Sequence, residues 1–287
     1  MVAPTSLITA LLIFFGRQHA RHFFDYFGID LSLLGLTTQD YLLRSIDALF
    51  VPLAAALSVA LVVQWLHARF TAQFFSGPDG TKHLQQTTMV TAVIGLLLFV
   101  AGMVRIVFGF PPSFSLIFPL SLGSGTLLLL YASRLYRRAH RSLAVREGLN
   151  TVALLEATGA FFLVGLSLFW AAGNYSAAVG TSRASQFAQE FTTTLPRAIL
   201  YSKEVLHLQA AGVQQTQCAG VASEPSFRYE GLRLMLRSGG QYFFLPDDWS
   251  TTDGVAIVIP EGDGIRLQLS MPPSAAPSLP RAEDADC

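Results

Sequence analysis

Charge is what this chain has least of. Asp, Glu, Lys and Arg make up 13% of its 287 residues, where a soluble domain carries about 25%. The formal net charge is zero, which argues against nucleic acid as a partner, because phosphate binding needs a concentrated basic face. Lysine is nearly missing: Lys82 and Lys203 are the only two among 19 basic residues, a bias that fits a GC-rich coding sequence and carries no mechanism. The two cysteines, Cys218 and Cys287, are expected as free thiols; a bridge between them would need an oxidising compartment. No nucleophile elbow, phosphate loop or zinc-spaced cluster is present, so neither an enzyme nor a cofactor is expected.

What fills the space is long apolar sequence. Hydrophobic residues reach 52%, and runs near 46–66, 87–108, 114–133 and 151–173 are each close to the roughly 20 residues that cross a hydrocarbon core. Residues 2–16 form a shorter run that ends at Arg17, His19, Arg21 and His22. It lacks the basic start and small-residue cleavage site of a secretory signal, so it is read as a first span, with Phe23, Phe24, Tyr26 and Phe27 as an aromatic belt at headgroup level. The expected fold is a membrane α-helical bundle of about five transmembrane helices over residues 1–175. A helical connector (176–195), a small α+β extracytoplasmic domain with antiparallel hairpins (196–270) and a disordered Pro/Ala/Ser-rich tail (271–287) should follow.

Arginine placement orients the bundle. Arg69, Lys82, Arg134, Arg137, Arg138, Arg141 and Arg146 fall on one side, and Arg17, Arg21, Arg44 and Arg105 on the other. The richer side reads as cytoplasmic, which places the C-terminal domain outside whether or not residues 2–16 span. The arginine-rich loop needs no partner beyond water and anionic lipid headgroups.

Five ionisable residues in or near the membrane carry the chemical interest. Asp40, Arg44 and Asp47 share one helix face at i, i+4 and i+7, with Thr37 or Thr38 as the cap, and their spacing predicts that Arg44 pairs with both carboxylates. Asp47 lies just inside the apolar run and should face protein or water. Arg105, at similar depth on the antiparallel neighbour, is its expected partner in a register-fixing pair. Glu156 sits some six residues inside the last span with no evident partner in its own helix. A proton or ion pathway through these residues is the alternative to structural pairing. His19, His22 and Asp25 form a short i, i+3, i+6 pattern, a weak metal candidate that reads better as an interfacial polar face.

Small residues mark close helix contacts: Gly95 and Gly102 on one face of the third span, Gly123 and Gly125 with Ser121 and Ser124 after Pro119, and Gly159 with Gly165 in the fifth. The Pro119 cluster is expected as a packed kink, the alternative being an unwound segment of the kind found at transporter binding sites. Beyond the membrane, Phe187, Phe191 and Leu195 make an apolar stripe, and Pro196 ends that helix. Residues 198–201 and 205–208 read as strands. The alternation through 227–237 slips at Gly231, predicting a β-bulge. Ser238-Gly239-Gly240 is a hairpin turn into 241–245, and 255–259 with 265–269 reads as a second hairpin. Asp247, Asp248, Asp253, Glu261 and Asp263 are expected to be solvated turn acids, the alternative being a calcium or sugar site assembled from them.

Gly28-Ile29-Asp30 through Leu34-Gly35, Gln39-Asp40-Tyr41 and Leu43-Arg44-Ser45 resemble multi-pass membrane proteins of GC-rich Gram-positive bacteria. So do Leu200-Tyr201-Ser202, Tyr229-Glu230-Gly231-Leu232-Arg233-Leu234 and Phe244-Leu245-Pro246 before Trp249. The resemblance implies a shared architecture in a monoderm envelope and brings no activity with it. The sequence thus points to a non-enzymatic integral protein of the cell membrane that displays a small domain for envelope interaction or sensing. Its expected partners are the lipid bilayer, a second copy and an envelope protein. The alternative is an oligomeric ion channel or small-solute transporter that uses the intramembrane Asp, Arg and Glu.

Overall fold

The computed structural model describes residues 4–74, 80–108, 116–139, 146–218 and 226–271. Within these, the side chains of 4–5, 7–8, 47–49, 66–74, 80–85, 105–108, 138–139 and 146–150 are outside the description. The order is α1 (Pro4–Asp25), a 3₁₀ turn (Leu31–Leu34), α2 (Thr38–Phe74), α3 (Gly80–Phe108), α4 (Ile117–Ala139) and α5 (Arg146–Thr194). Then come β1 (Arg197–Ser202), β2 (Gln214–Gln217), β3 (Phe227–Ser238), β4 (Gln241–Pro246), β5 (Ile257–Pro260) and β6 (Ile265–Ser270). The chain is therefore helical first and antiparallel sheet last.

Five spans were expected. Among the described residues two stretches, Gln86–Val104 of α3 and Thr151–Thr194 of α5, are long and apolar enough to cross a membrane. A third counts if the arms Thr38–Ile46 and Phe50–Trp65 of α2 are taken together. Pro52 lies inside α2, where its ring removes one helical hydrogen bond and crowds the carbonyl a turn earlier. Contacts divide the chain into a central unit, Ile46–Ser176, and a terminal unit made of Met1–Ser45 and Ala177–Cys287.

In the central unit α3 and α4 form an antiparallel pair in which small residues let the backbones approach. A Cβ on Gly102 would lie 2.7 Å from Leu122, and one on Gly125 would lie 2.5 Å from the Phe99 nitrogen. Pro119 causes neither a kink nor an unwound segment, contrary to expectation. It occupies the first turn of a continuous α4, where its missing N–H has no helical acceptor to lose. Ser121 and Ser124 return their hydroxyls to the carbonyls of Ile117 and Leu120. The buried Ser167 of α5 donates to the Pro119 carbonyl.

In the terminal unit all strands pair antiparallel in the order β5-β4-β3-β1-β6, with β2 beside the first half of β3. The expected hairpin of 255–259 with 265–269 is absent: β5 pairs with β4 and β6 with β1, at opposite ends of that row. Residues 261–264 join the two. A flat row would separate its outer strands by about 19 Å, four spacings of about 4.8 Å, more than this short link easily reaches. The sheet curls instead. The Glu261 N–H reaches the Gly240 carbonyl at 2.9 Å, and the Lys203 N–H reaches the Gly264 carbonyl at 3.2 Å, so the link runs from the β3–β4 turn to the end of β1.

Two bulges produce the curl. Register slips between Ala198 and Leu200 against β3, where Gly231 has φ +81° and a Cβ would sit 1.9 Å from the Gly212 carbonyl oxygen. A second slip falls between Leu234 and Leu236. It turns Leu236 to the face opposite Leu232 and Leu234, which simple alternation had placed together. Residues 205–208, read as a strand, form an irregular segment, and the Leu206 N–H donates to the Tyr229 hydroxyl at 2.7 Å. Cys218 is not the free thiol expected: it is disulfide-bonded, with its partner outside the described residues.

Around β4 both faces of the sheet are buried. Ala198, Leu200, Tyr229, Leu232, Phe244, Ile257 and Ile259 form the inner core. Phe243 and Leu245 point the other way, into a second core with Ala20, Phe24, Phe27, Ile29, Leu34, Ala184, Phe191 and Leu195. The aromatic belt expected at the headgroups is thus a protein core in its buried half. Phe27 stacks 5.0 Å from the Trp249 ring and 5.8 Å from Phe187.

Candidate functional site

The most convergent polar group in the central unit joins α4 to α5. Ser133 lies one turn before Arg137 on α4, and Glu156 lies opposite on α5. The Ser133 hydroxyl donates to Glu156 Oε2 at 2.7 Å, Arg137 pairs with the same oxygen, and Arg137 also donates to Ser133 Oγ at 2.6 Å. The sequence had offered Glu156 no evident partner in its own helix, only Arg146 or the interface, and had assigned Arg137 to a cytoplasmic charge cluster. No motif links the two. The contact becomes visible only once α4 and α5 run antiparallel, with Gly123 against Ser167 and Ser133 against Glu156.

This group borders an open groove of about 430 Å³ whose wall also includes Thr88, Leu129, Tyr136 and Val152. The volume falls within the roughly 300–1,000 Å³ of small-molecule sites. Arg137 and Glu156 keep 27% and 39% of their side-chain surface exposed. Both donors converge on Oε2, so a proton or cation taken up at that oxygen would displace Ser133 and Arg137. The arrangement suits a gated polar contact better than a general base.

At the start of α2 Asp40 and Arg44 make separate contacts, and the expected pairing of Arg44 with Asp47 falls on a side chain outside the described residues. Asp40 closes a capping box: its carboxylate accepts from the Thr37 N–H at 2.8 Å and hydroxyl at 2.7 Å, while Thr37 Oγ1 accepts the Asp40 N–H at 3.4 Å. Arg44 instead lies over aromatic rings, 5.1 Å from the Phe24 centroid and 6.0 Å from Phe23, and no ion pair joins it to Asp40 among the described residues. The side chains of Asp47 and Arg105, expected as partners, are outside the described set.

Of the expected packing glycines, Gly95, Gly102 and Gly125 lie at the α3–α4 contact and Gly123 faces Ser167, whereas a Cβ on Gly159 would meet nothing within 4 Å. His19, His22 and Asp25 do not converge: His19 is buried and His22 half-buried, and Asp25 lies 3.6 Å from Arg21. No group of three His, Cys, Asp or Glu side chains fit for a metal occurs among the described residues.

Sequence reasoning gave Arg233 no role. It is 3% exposed. Its Nε donates to Asp247 at 2.6 Å and its Nη1 to the Leu195 carbonyl at 3.0 Å. It thus ties the end of α5 to the sheet and removes Asp247 from the set of solvated turn acids. No protein-family model, curated protein or solved structure matches the chain.

Proposed function

We propose that the protein is a non-enzymatic integral membrane protein of the cell envelope that displays its sheet unit outside the cell for interaction or sensing. The observation that carries this reading is the join between a membrane-grade helix and a fully packed soluble-type core in one chain. α5 is 49 residues long, about 74 Å at 1.5 Å per residue, against about 30 Å of hydrocarbon. Its last turns carry the buried Phe191, and the buried Leu195 follows directly after the helix. The arginine asymmetry supports the outward orientation, and so does the Cys218 disulfide, a bond that persists in oxidising compartments. In this reading the bundle has about five spans, and α4 enters beside α3 because the two are packed along one another. Asp47 and Arg105 then fix the register of the second and third spans.

Orientation is tested by labelling intact cells with a membrane-impermeant thiol reagent, after replacing both native cysteines with serine. Gly262→Cys should label and Ala139→Cys should not; the reverse pattern makes the domain cytoplasmic and sinks the display reading.

A second reading, an oligomeric channel or small-solute transporter, is favoured by the groove beside Glu156 and Arg137. Proteoliposomes should then carry a reproducible ion or solute flux that disappears in Glu156→Gln. No flux in either protein leaves display as the function.

A further inference from the structure

We propose that Arg44 binds the phosphate group of an anionic phospholipid headgroup. The guanidinium is half-buried and lies over the Phe24 and Phe23 rings at 5.1 and 6.0 Å. Stacking of this kind uses the flat face of the fork and leaves its in-plane N–H donors to find acceptors elsewhere. The nearest carboxylate in sequence, Asp40, is occupied by the Thr37 N–H and hydroxyl. Arg21, on α1, lies within ion-pair distance of Asp25. Among the described residues no hydrogen bond or ion pair reaches Arg44, and Asp40 acts on it only through a longer-range attraction, so an aromatic shelf holds a cation whose in-plane donors are open to an outside acceptor.

Position says which anion fits. Arg44 precedes the apolar sequence of α2, where Ile46, Phe50, Val51 and Leu53 are exposed. A helix entering a bilayer there places the guanidinium at headgroup depth, where a phosphodiester can accept two of its donors side by side. A lysine at the same place would keep the charge and lose the fork.

The inference rests on α2 entering the membrane, so the test first asks whether the protein sediments with membranes and needs detergent. Failure there overturns the membrane reading itself. The purified full chain is then titrated in neutral detergent with phosphatidylglycerol, phosphatidylcholine or inorganic phosphate, and binding is read by native mass spectrometry and thermal shift. The wild type should prefer phosphatidylglycerol over phosphatidylcholine by about tenfold. Arg44→Gln should bring the two lipids to parity, Arg44→Lys should keep part of the preference, and Arg21→Gln should keep all of it. Circular dichroism establishes that each variant folds; if Arg44→Gln does not, the Arg44→Lys and Arg21→Gln comparison decides. Equal loss in Arg21→Gln would mean a diffuse surface field, and an undiminished preference in Arg44→Gln or Arg44→Lys would mean no forked site; either overturns the proposal. Protection by inorganic phosphate equal to that by phosphatidylglycerol would assign the site to free phosphate and overturn the lipid assignment.

Discussion

Phe244 of the terminal unit and Phe161 of the central unit are the same side chain in opposite surroundings, the first 0% and the second 74% exposed. The contrast extends to their neighbours. Around Phe244 the sheet turns its aliphatic and aromatic residues inward on both faces. Along α5, Leu154, Leu155, Phe161, Phe162 and Leu166 point away from the protein, and the small Ser167 makes an inner contact, against Gly123 of α4. Water drives the first arrangement by expelling apolar surface. It would penalise the second, which suits a hydrocarbon solvent where helices associate by close van der Waals contact. Hydrophobicity alone therefore does not separate core from exterior in this chain; the solvent has to be named first.

The largest expected effect comes from emptying the sheet core. Phe244→Ala should cost about 3–5 kcal/mol, read as a fall in the thermal midpoint in detergent. A loss below about 1 kcal/mol would mean that the inner core is loose and the contrast with the helices overstated. Arg233→Ala should come next. It strands the Leu195 carbonyl and leaves Asp247 without its cation, though Asp247 is partly solvated, so about 2–3 kcal/mol is expected. Equal stability of wild type and variant would show that α5 is held to the sheet by its apolar stripe alone.

In the central unit Arg137→Gln and Glu156→Gln should each cost about 1 kcal/mol or less, because the pair is partly exposed. The double variant should lose less than the sum of the two. Strict additivity would show the residues uncoupled and would dissolve the site. Phe161→Ala should lie within about 0.5 kcal/mol of wild type in detergent; a large loss would place Phe161 at a protein contact, as in an oligomer.

The smallest effect is a matter of pH. The Ser32 side chain and N–H, the latter 2.7 Å from Oδ1, hold the Asp30 carboxyl below its ordinary value of 3.8. Its contribution is present above that value and disappears as pH falls through the lowered folded value. Asp30→Asn should therefore leave neutral-pH melting nearly unchanged and slightly flatten the acid limb of a stability-against-pH curve. An unchanged acid limb would show that the turn does not depend on the charge.

Legibility in the sequence followed periodicity. The Phe187, Phe191 and Leu195 stripe, the Gly231 bulge and the 238–240 turn were all readable, because each leaves a local mark in spacing or in a glycine. The strand Gln214–Gln217 is exposed at every residue and so has no alternation to read. The bulge near Met235 carries no glycine. Residues 255–269 looked like a hairpin because the Gly262 turn is good turn sequence. That they bridge opposite ends of the sheet depends on two bulges curling it first. Glu156 and Arg137 were unreadable as partners because helices of one bundle share no sequence signal that says which faces meet. Phe24 and Phe27 were misplaced for a different reason: an aromatic cluster at the end of an apolar run serves equally well as belt or core, and only the distant sheet decides.

Ser238 donates to the carbonyl of Leu34 across 204 positions of sequence, in a core that also draws on Phe24, Phe27 and Phe191. The order of synthesis then matters. The first 45 residues emerge long before the strands that cover them, and the intervening helices are made while Phe24 and Phe27 still lack partners. Contacts this remote form slowly, so the nascent amino-terminal segment needs the bilayer surface or a chaperone as a holding site. The sheet in turn lacks its outer cover if the chain is cut to residues 177–287, which strips Phe243 and Leu245 of α1 and should leave a fragment that aggregates.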